Sequence, residues 1–347
     1  MRIALIANDG SPLGVTPPDI YGRGVGGAEL AMMSLMRVFA ERGHEVEVFN
    51  DPRVGKTFDN VIYRPRRAFN DTHPRDAVII FRSPNSLVTR RCSATTIWWS
   101  CDQYTIGDFA MLGRSVDHIV CISEFHKHYH MTRYGLPDEK INVIDLGVAH
   151  WDYDIHDVPK VPGRMIYCSV PDRGLNSLLA AWPQIKAEAP QASLVITADY
   201  TLWGTTANNA RHRLAWAGQE DVRFVGKVSR HELVKFQLEA EIHAYPCTYD
   251  ELFCISCAET QFAGALPVTS TWGALQTTNE FGVKIPGNPS SPDFVRAFAK
   301  RCAGLVTTER DYLDMKQKNM MRAASLRFDW NRIAEEWEKL MERGKES

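Results

Sequence analysis

The chain has 347 residues, 44% of them hydrophobic and 24% charged, and a formal net charge of -2. That length holds two domains of ordinary size. The near-neutral charge excludes a whole-molecule polyelectrolyte binder, and no apolar run approaches the ~20 residues of a membrane span. The N-terminus enters a strand at once, which predicts no signal peptide. Eight scattered cysteines then read as the reduced thiols of a cytoplasmic protein.

Ile3–Ala7 is a short continuous apolar run, the pattern of a buried parallel strand. A polar loop from Asn8 to about Val25 follows, a length that in compact domains is usually functional. It closes in Gly24-Val25-Gly26-Gly27-Ala28-Glu29, ahead of a helix over Leu30–Arg42 and a strand over Glu45–Phe49. The glycines do not fit a dinucleotide fingerprint, because G-x-G-x-x-G must follow its strand immediately. A plain helix cap and a phosphate-facing turn both fit, and Gly-Gly at a helix start favours the second. From Asp51 to Arg91 nine Lys or Arg oppose four Asp, a local net of +5. A solvated face with a few ion pairs accounts for this. The sharper alternative is a surface for an anionic acceptor: phospholipid, phosphorylated carrier or nucleic acid.

Strands are predicted at Val78–Phe81 and Thr95–Trp99. Ser100-Cys101-Asp102 lies just past the second, where ligands bind in parallel sheets. Asp102 there takes a proton or a sugar hydroxyl, or else caps a helix. The strand His118–Ser123 leads into Glu124–Arg133, where His126 and His130 stand at i, i+4. No third metal ligand is evident nearby, so the histidines are expected on a solvated helix face. Ile141–Val148 completes a first domain over residues 1–150, and the polar, Pro-containing Ala149–Pro162 reads as a linker.

The second domain, 163–327, opens with the strand Met165–Ser169 and the turn Val170-Pro171-Asp172-Arg173-Gly174. Pro183 is expected to kink or divide the helical stretch from Asn176 to about Ala187. After a strand at Leu194–Ala198 and a strand-turn over Val222–Ser229, Ser229 and Glu232 predict a capping box for the helix Arg230–Glu239. Ile242–Tyr245 is the next strand. Residues 328–347 form an amphipathic helix, apolar at Trp330, Ile333, Ala334, Trp337 and Leu340.

The most informative stretch is Tyr245–Val268, YPCTYDELFCISCAETQFAGALPV. A strand ends at Tyr245-Pro246, a polar turn carries Glu251, and a helix containing Glu259 stops at Gly264. The amides of Phe253, Cys254, Ile255 and Ser256 lie at the helix start, where the dipole favours an anion. A carboxylate accepts two hydrogen bonds at once and suits vicinal sugar hydroxyls. An anion site between two carboxylates therefore matches a nucleotide sugar. Cys254-x-x-Cys257 has no second pair at metal spacing and reads as coincidence at a helix start.

In its Glu251-x7-Glu259 pair, in Phe253 and in Gly264-Ala265-Leu266-Pro267-Val268, the sequence resembles the retaining GT-B glycosyltransferases of family 4. The resemblance implies two Rossmann-like, doubly wound α/β domains facing across a cleft, with the last helix packing back on the first domain. It implies transfer of a hexose from a nucleotide diphosphate sugar, UDP-sugar first and GDP-mannose next, to an acceptor hydroxyl, with no cofactor and no obligatory metal. Glu259 would then grip ribose, Glu251 and Arg173 would serve donor sugar and diphosphate, and Gly26 and Gly27 would approach the diphosphate. Cys254 stands where the family usually has Gly. Of the family's two phosphate cations, Arg173 matches one; the other falls near Tyr167–Ser169, where no Arg is found. A nucleotide-sugar epimerase or hydrolase, an NAD-dependent oxidoreductase and a non-catalytic binding protein are the competing readings.

Overall fold

The computed structural model describes residues 1–7, 14–22, 24–82, 94–103, 108–203 and 218–343. It divides into two compact units: 1–20 with 25–147 and 328–347, and 21–24 with 148–327. The first holds β1 (Arg2–Ala7), β2 (Glu45–Phe49), β3 (Thr57–Phe58), β4 (Val61–Arg64), β5 (Ala77–Phe81), β6 (Thr95–Trp99), β7 (His118–Cys121) and β8 (Ile141–Val143). Their spatial order is β3-β4-β2-β1-β5-β6-β7-β8, parallel except for β3 against β4. Ile3 stands opposite Val46 on one side and Ala77 on the other. β5 and β6 are buried along their whole length, as continuous apolar runs require in a sheet covered on both faces. The order turns back between β1 and β5, which makes a switch point at their C-terminal ends.

Three helices of this unit matter below: α1 (Gly27–Glu41), α2 (Phe109–Ser115) and α3 (Glu124–Tyr134). The C-terminal helix Trp330–Arg343 belongs to the same unit. Its Trp337 meets Trp99 edge to face at 5.1 Å, and its Glu338 takes hydrogen bonds from Arg42 and His44, each at 2.8 Å.

Two features of this unit bear on the sequence reading. The β3–β4 hairpin, within the basic stretch, turns at Asp59 and Asn60 with φ of 48° and 60°, the positive values a two-residue hairpin turn needs. Arg64 and Arg75 pair with Glu47, and Arg66 with Asp51, so part of the basic character is neutralised within the sheet; Arg90 and Arg91 lie outside the described residues. Second, His126 and His130 are fully buried rather than solvated. Helix α3 lays that face on the sheet, where His130 stacks on Trp98 at 5.3 Å.

The second unit holds β9 (Arg164–Tyr167), β10 (Ser193–Ile196), β11 (Val222–Phe224), β12 (Ile242–Tyr245), β13 (Leu266–Ser270) and β14 (Val283–Ile285). The order is β11-β10-β9-β12-β13-β14, all parallel, with its switch point between β9 and β12. Its helices include α4 (Leu175–Glu188), α5 (Arg230–Glu239) and α6 (Ile255–Phe262). The Ser229–Glu232 capping box forms as expected.

The segment expected as a linker is anchored in this unit. Lys160 Nζ donates to the carbonyls of Ala240 and Ala263, both at 2.7 Å, and so satisfies the ends of α5 and α6 together. Pro183 does not divide α4, which is one helix from Leu175 to Glu188. A proline removes the N–H that would serve the carbonyl four residues back, here Leu179. Gln219 Nε2 donates to that carbonyl at 3.2 Å instead.

This repair predicts a non-additive pair. Gln219→Ala lowers unfolding free energy by about 1 kcal/mol in the native background. In a Pro183→Ala background, where the missing N–H returns, its cost falls towards zero. Urea titration of the four proteins measures the coupling, and equal costs in both backgrounds would remove the compensation.

Candidate functional site

Two loops leaving neighbouring strands at the second unit's switch point carry the candidate site. β9 runs into Val170–Gly174, which presents Arg173, and β12 runs into Pro246–Cys254, which presents Glu251. The loops touch at Gly174, whose φ is 118° and where a Cβ would sit 2.2 Å from the Pro246 carbonyl oxygen. Arg173 Nη1 donates to Glu251 Oε1 at 2.8 Å, and the Tyr245 hydroxyl donates to the same oxygen at 2.6 Å. The guanidinium lies over the Tyr249 ring at 4.4 Å. Burial acts to lower the Arg173 pKa, but Glu251 together with Tyr245, Tyr249 and Cys247 outweighs it, so the group is raised above its ordinary value and stays charged. Behind Glu251, Gly273 lies so close that a Cβ would come within 2.3 Å of the Glu251 carbonyl oxygen.

Helix α6 starts directly after this loop. Cys254 is its N-cap residue, with φ 73° and ψ 76°, a left-handed backbone that costs an L-residue roughly 1–2 kcal/mol. Glycine would adopt it freely. The Cys254 side chain is buried, its Sγ 3.4 Å from Ser256 Oγ. The Phe253 side chain is buried as well and packs the loop. Ile255 and Ser256 supply the first-turn amides, which favour an anion. Cys257 faces the core, and all seven described cysteines are free thiols.

Glu259 lies one turn further along and only 3% exposed. Arg230, at the first position of α5, holds Glu259 Oε1 at 2.7 Å and Asp152 Oδ2 at 2.7 Å. Gln237 Nε2 donates to Glu259 Oε2 at 3.1 Å, and the Tyr153 hydroxyl donates to Gln237 at 2.5 Å. Burial acts to lower the Arg230 pKa; Glu259 and then Tyr153 and Asp152 outweigh it, and the pKa is raised. Sequence reading missed Arg230, Asp152 and Gln237. One signal was present: an arginine in the first turn of a helix opposes the dipole and so marks a charge held for a partner elsewhere. Tyr167 and Cys168, where a second phosphate cation was sought, are core and half-buried, and Cys168 Sγ lies 3.7 Å from His243 Nε2.

In the first unit, Gly26 is the N-cap residue of α1 at φ -70°, and Gly27 is its first residue. The Glu29 carboxylate folds back to within 2.4 Å of where a Gly26 Cβ would stand. Arg82, at φ 64° just past β5, pairs with Glu29 at 2.9 Å and with Asp102 at 2.5 Å. Asp102 is therefore an ion-pair partner, and α2 is capped by Asp108, which accepts from the Met111 amide at 2.9 Å. This cluster draws on the first turn of α1 and on the residues just past β5 and β6, beside the switch point.

A family model described as Glycosyl transferases group 1 matches residues 161–307. No curated protein sequence matches the chain. Among solved structures, sucrose-phosphate synthase from Thermosynechococcus elongatus superposes with TM-score 0.78 at 17% identity over 99% of each chain. The catalytic domain of Arabidopsis thaliana starch synthase IV, bound to ADP and acarbose, gives 0.75 at 10% identity, covering 100% of this chain and 99% of that one. Anabaena HepE in complex with UDP-glucose gives 0.71 at 14% identity over 99% and 100%. The two parallel-sheet units are those of the GT-B fold.

Arg230→Ala leaves Glu259 and Asp152 buried without their cation and is expected to cost about 3–5 kcal/mol. Adding Glu259→Gln recovers part of that loss, because one of the two stranded charges is gone. Thermal and urea unfolding of both variants decide this; no recovery would place the cost in Asp152. At position 254 the left-handed backbone predicts that Cys254→Gly is more stable than Cys254→Ala by roughly 1 kcal/mol. Equal stabilities would show that the strain is relieved elsewhere.

Proposed function

Because residues 161–307 match the family model described as Glycosyl transferases group 1, we propose a retaining, family 4-like enzyme that moves a hexose from a nucleotide diphosphate sugar to an acceptor hydroxyl. The observation that carries this is the Arg173–Glu251 pair, set beside the first turn of α6 at the switch point. A cation and helix amides converge where a diphosphate fits, and a carboxylate already oriented by Tyr245 stands beside them. Glu259, steered by Arg230 and Gln237, is the ribose-binding carboxylate in this reading. A UDP-sugar is the first choice of donor and GDP-mannose the second; UDP-glucose in the HepE complex supports that order.

In the transfer, a bond forms between the acceptor oxygen and the anomeric carbon while the bond from that carbon to the phosphate oxygen breaks. The electron pair leaves with the nucleoside diphosphate, which takes the acceptor's proton. Arg173 and the α6 amides stabilise the charge that develops on the leaving group, so the reaction needs no metal or cofactor. Asp102, oriented by Arg82, addresses the acceptor. An anionic acceptor suits the exposed Arg53, Lys56 and Arg67 of the basic stretch. No helix among the described residues is long and apolar enough to cross a membrane, so a membrane-borne acceptor would be met at a surface.

Calorimetry with UDP, GDP, ADP, dTDP and NAD, in the presence of a chelator, tests the reading. One diphosphate is expected to bind selectively. Arg173→Ala should weaken it by roughly 10- to 100-fold, the ~1.5–3 kcal/mol of a hydrogen bond to a charged group. Glu259→Gln should weaken the nucleotide but not inorganic diphosphate. Selective binding of NAD would turn the reading to a dehydrogenase, and release of free or epimerised sugar without an acceptor to a hydrolase or epimerase.

A further inference from the structure

A second cluster lies in the first unit, within the sheet-facing side of α3. Cys121 is the last residue of β7, and His126 and His130 lie one turn apart on α3; all three are fully buried. One ligand atom from each lies within 4.8 Å of the others. The two Nε2 atoms are 3.0 Å apart, near the ~3.3 Å that two nitrogens span when each binds one tetrahedral zinc ion at 2.0–2.1 Å. Ser100 Oγ, also fully buried, lies 2.7 Å from His130 Nε2 and 3.4 Å from His126 Nε2. Three potential ligand atoms, two imidazole nitrogens and a thiol sulfur, thus lie together, with the Ser100 hydroxyl beside both imidazoles.

Protons alone do not satisfy this group. His130 Nδ1 is buried with no partner, so one nitrogen of that ring is unmet in either neutral tautomer. His126 Nε2 and Ser100 Oγ both crowd His130 Nε2, which has a single lone pair or a single proton to offer.

We propose that Cys121, His126 and His130 bind one divalent metal ion of borderline softness, of the Zn²⁺ class, with Ser100 Oγ or a water completing four-coordination. One thiolate and two imidazoles select such an ion over Mg²⁺ or Ca²⁺, which prefer oxygen. On binding, the Cys121 thiol gives up its proton to solvent and the ion takes its place. The contact given up is the 3.3 Å hydrogen bond from the Ile122 amide to His126 Nδ1. The site is structural: it ties α3 to the end of β7, beside Ser100 at the end of β6. Ser100 stands two residues before Asp102, so the ion would fix the loop that presents Asp102.

The test uses the full chain, purified, treated with a chelator and titrated with Co²⁺ and Zn²⁺. Co²⁺ is expected to bind at about one equivalent, with intense four-coordinate d–d bands and a thiolate-to-cobalt charge-transfer band. Zn²⁺ should displace it and raise the Tm. Cys121→Ser should abolish the charge-transfer band, and His130→Gln should weaken Co²⁺ by more than about 100-fold, beyond the loss of an outer-shell partner. Circular dichroism confirms that each variant is folded; if one is not, the other carries the comparison. No Co²⁺ spectrum in the native chain overturns the proposal, and so does a spectrum unchanged in both variants, which would put the metal on other cysteines. Neither readout depends on sugar transfer, so this proposal and the functional one fail separately.

Discussion

A carboxylate taken out of water must be paired, and the second unit meets that demand twice within one strand-loop-helix stretch. Glu251 is held by Arg173 and Tyr245, Glu259 by Arg230 and Gln237. The partners come from three elements, Arg173 from the loop after β9, Tyr245 from β12, and Arg230 and Gln237 from α5, so the two ion pairs tie these to α6 and to the segment that carries Asp152. A buried pair of this kind adds little net stability, since desolvation offsets most of the attraction. What it adds is direction: each carboxylate has one arrangement in which no charge is stranded.

The parallel sheets explain where those groups are. In a sheet covered on both faces, helices leave from the C-terminal ends of the strands, and only at the switch point do two neighbouring loops diverge and leave a crevice. Both units place their charged clusters there: Arg173 and Glu251 after β9 and β12, and Glu29, Arg82 and Asp102 after β1, β5 and β6. Close backbone approach is part of the same design. Gly174 and Gly273 let the loops around Glu251 come nearer than any side chain would allow. Cys254 keeps a glycine-like backbone without being glycine, a local strain of the kind that persists where the surroundings over-determine a conformation.

The first unit uses its buried polar groups differently. Arg82 takes a left-handed backbone with two carboxylates on its guanidinium. His126 and His130 of α3 are buried, and His130 stacks on Trp98. In both cases a polar residue is held inside by partners distant in the chain, and in both the held group sits next to Asp102.

By itself the sequence determined the alternation of strands and helices, the parallel sheets and the stretch from Tyr245 to Val268. These are properties of neighbouring residues: continuous apolar runs, helix caps such as Ser229 with Glu232, and glycine or proline at element ends. It also singled out Arg173, Glu251 and Glu259 as candidates, through their spacing and their resemblance to a family pattern. Only the tertiary structure decided the partners. Arg230 lies 29 residues from Glu259 and Asp152 another 78 before it, and no local pattern joins them. Gln219 rescues the carbonyl that Pro183 orphans, and Cys121 stands beside two histidines that the sequence alone left facing water. Hydrogen bonds and ion pairs between crossovers depend on which strands lie side by side, and that order is a property of the folded sheet.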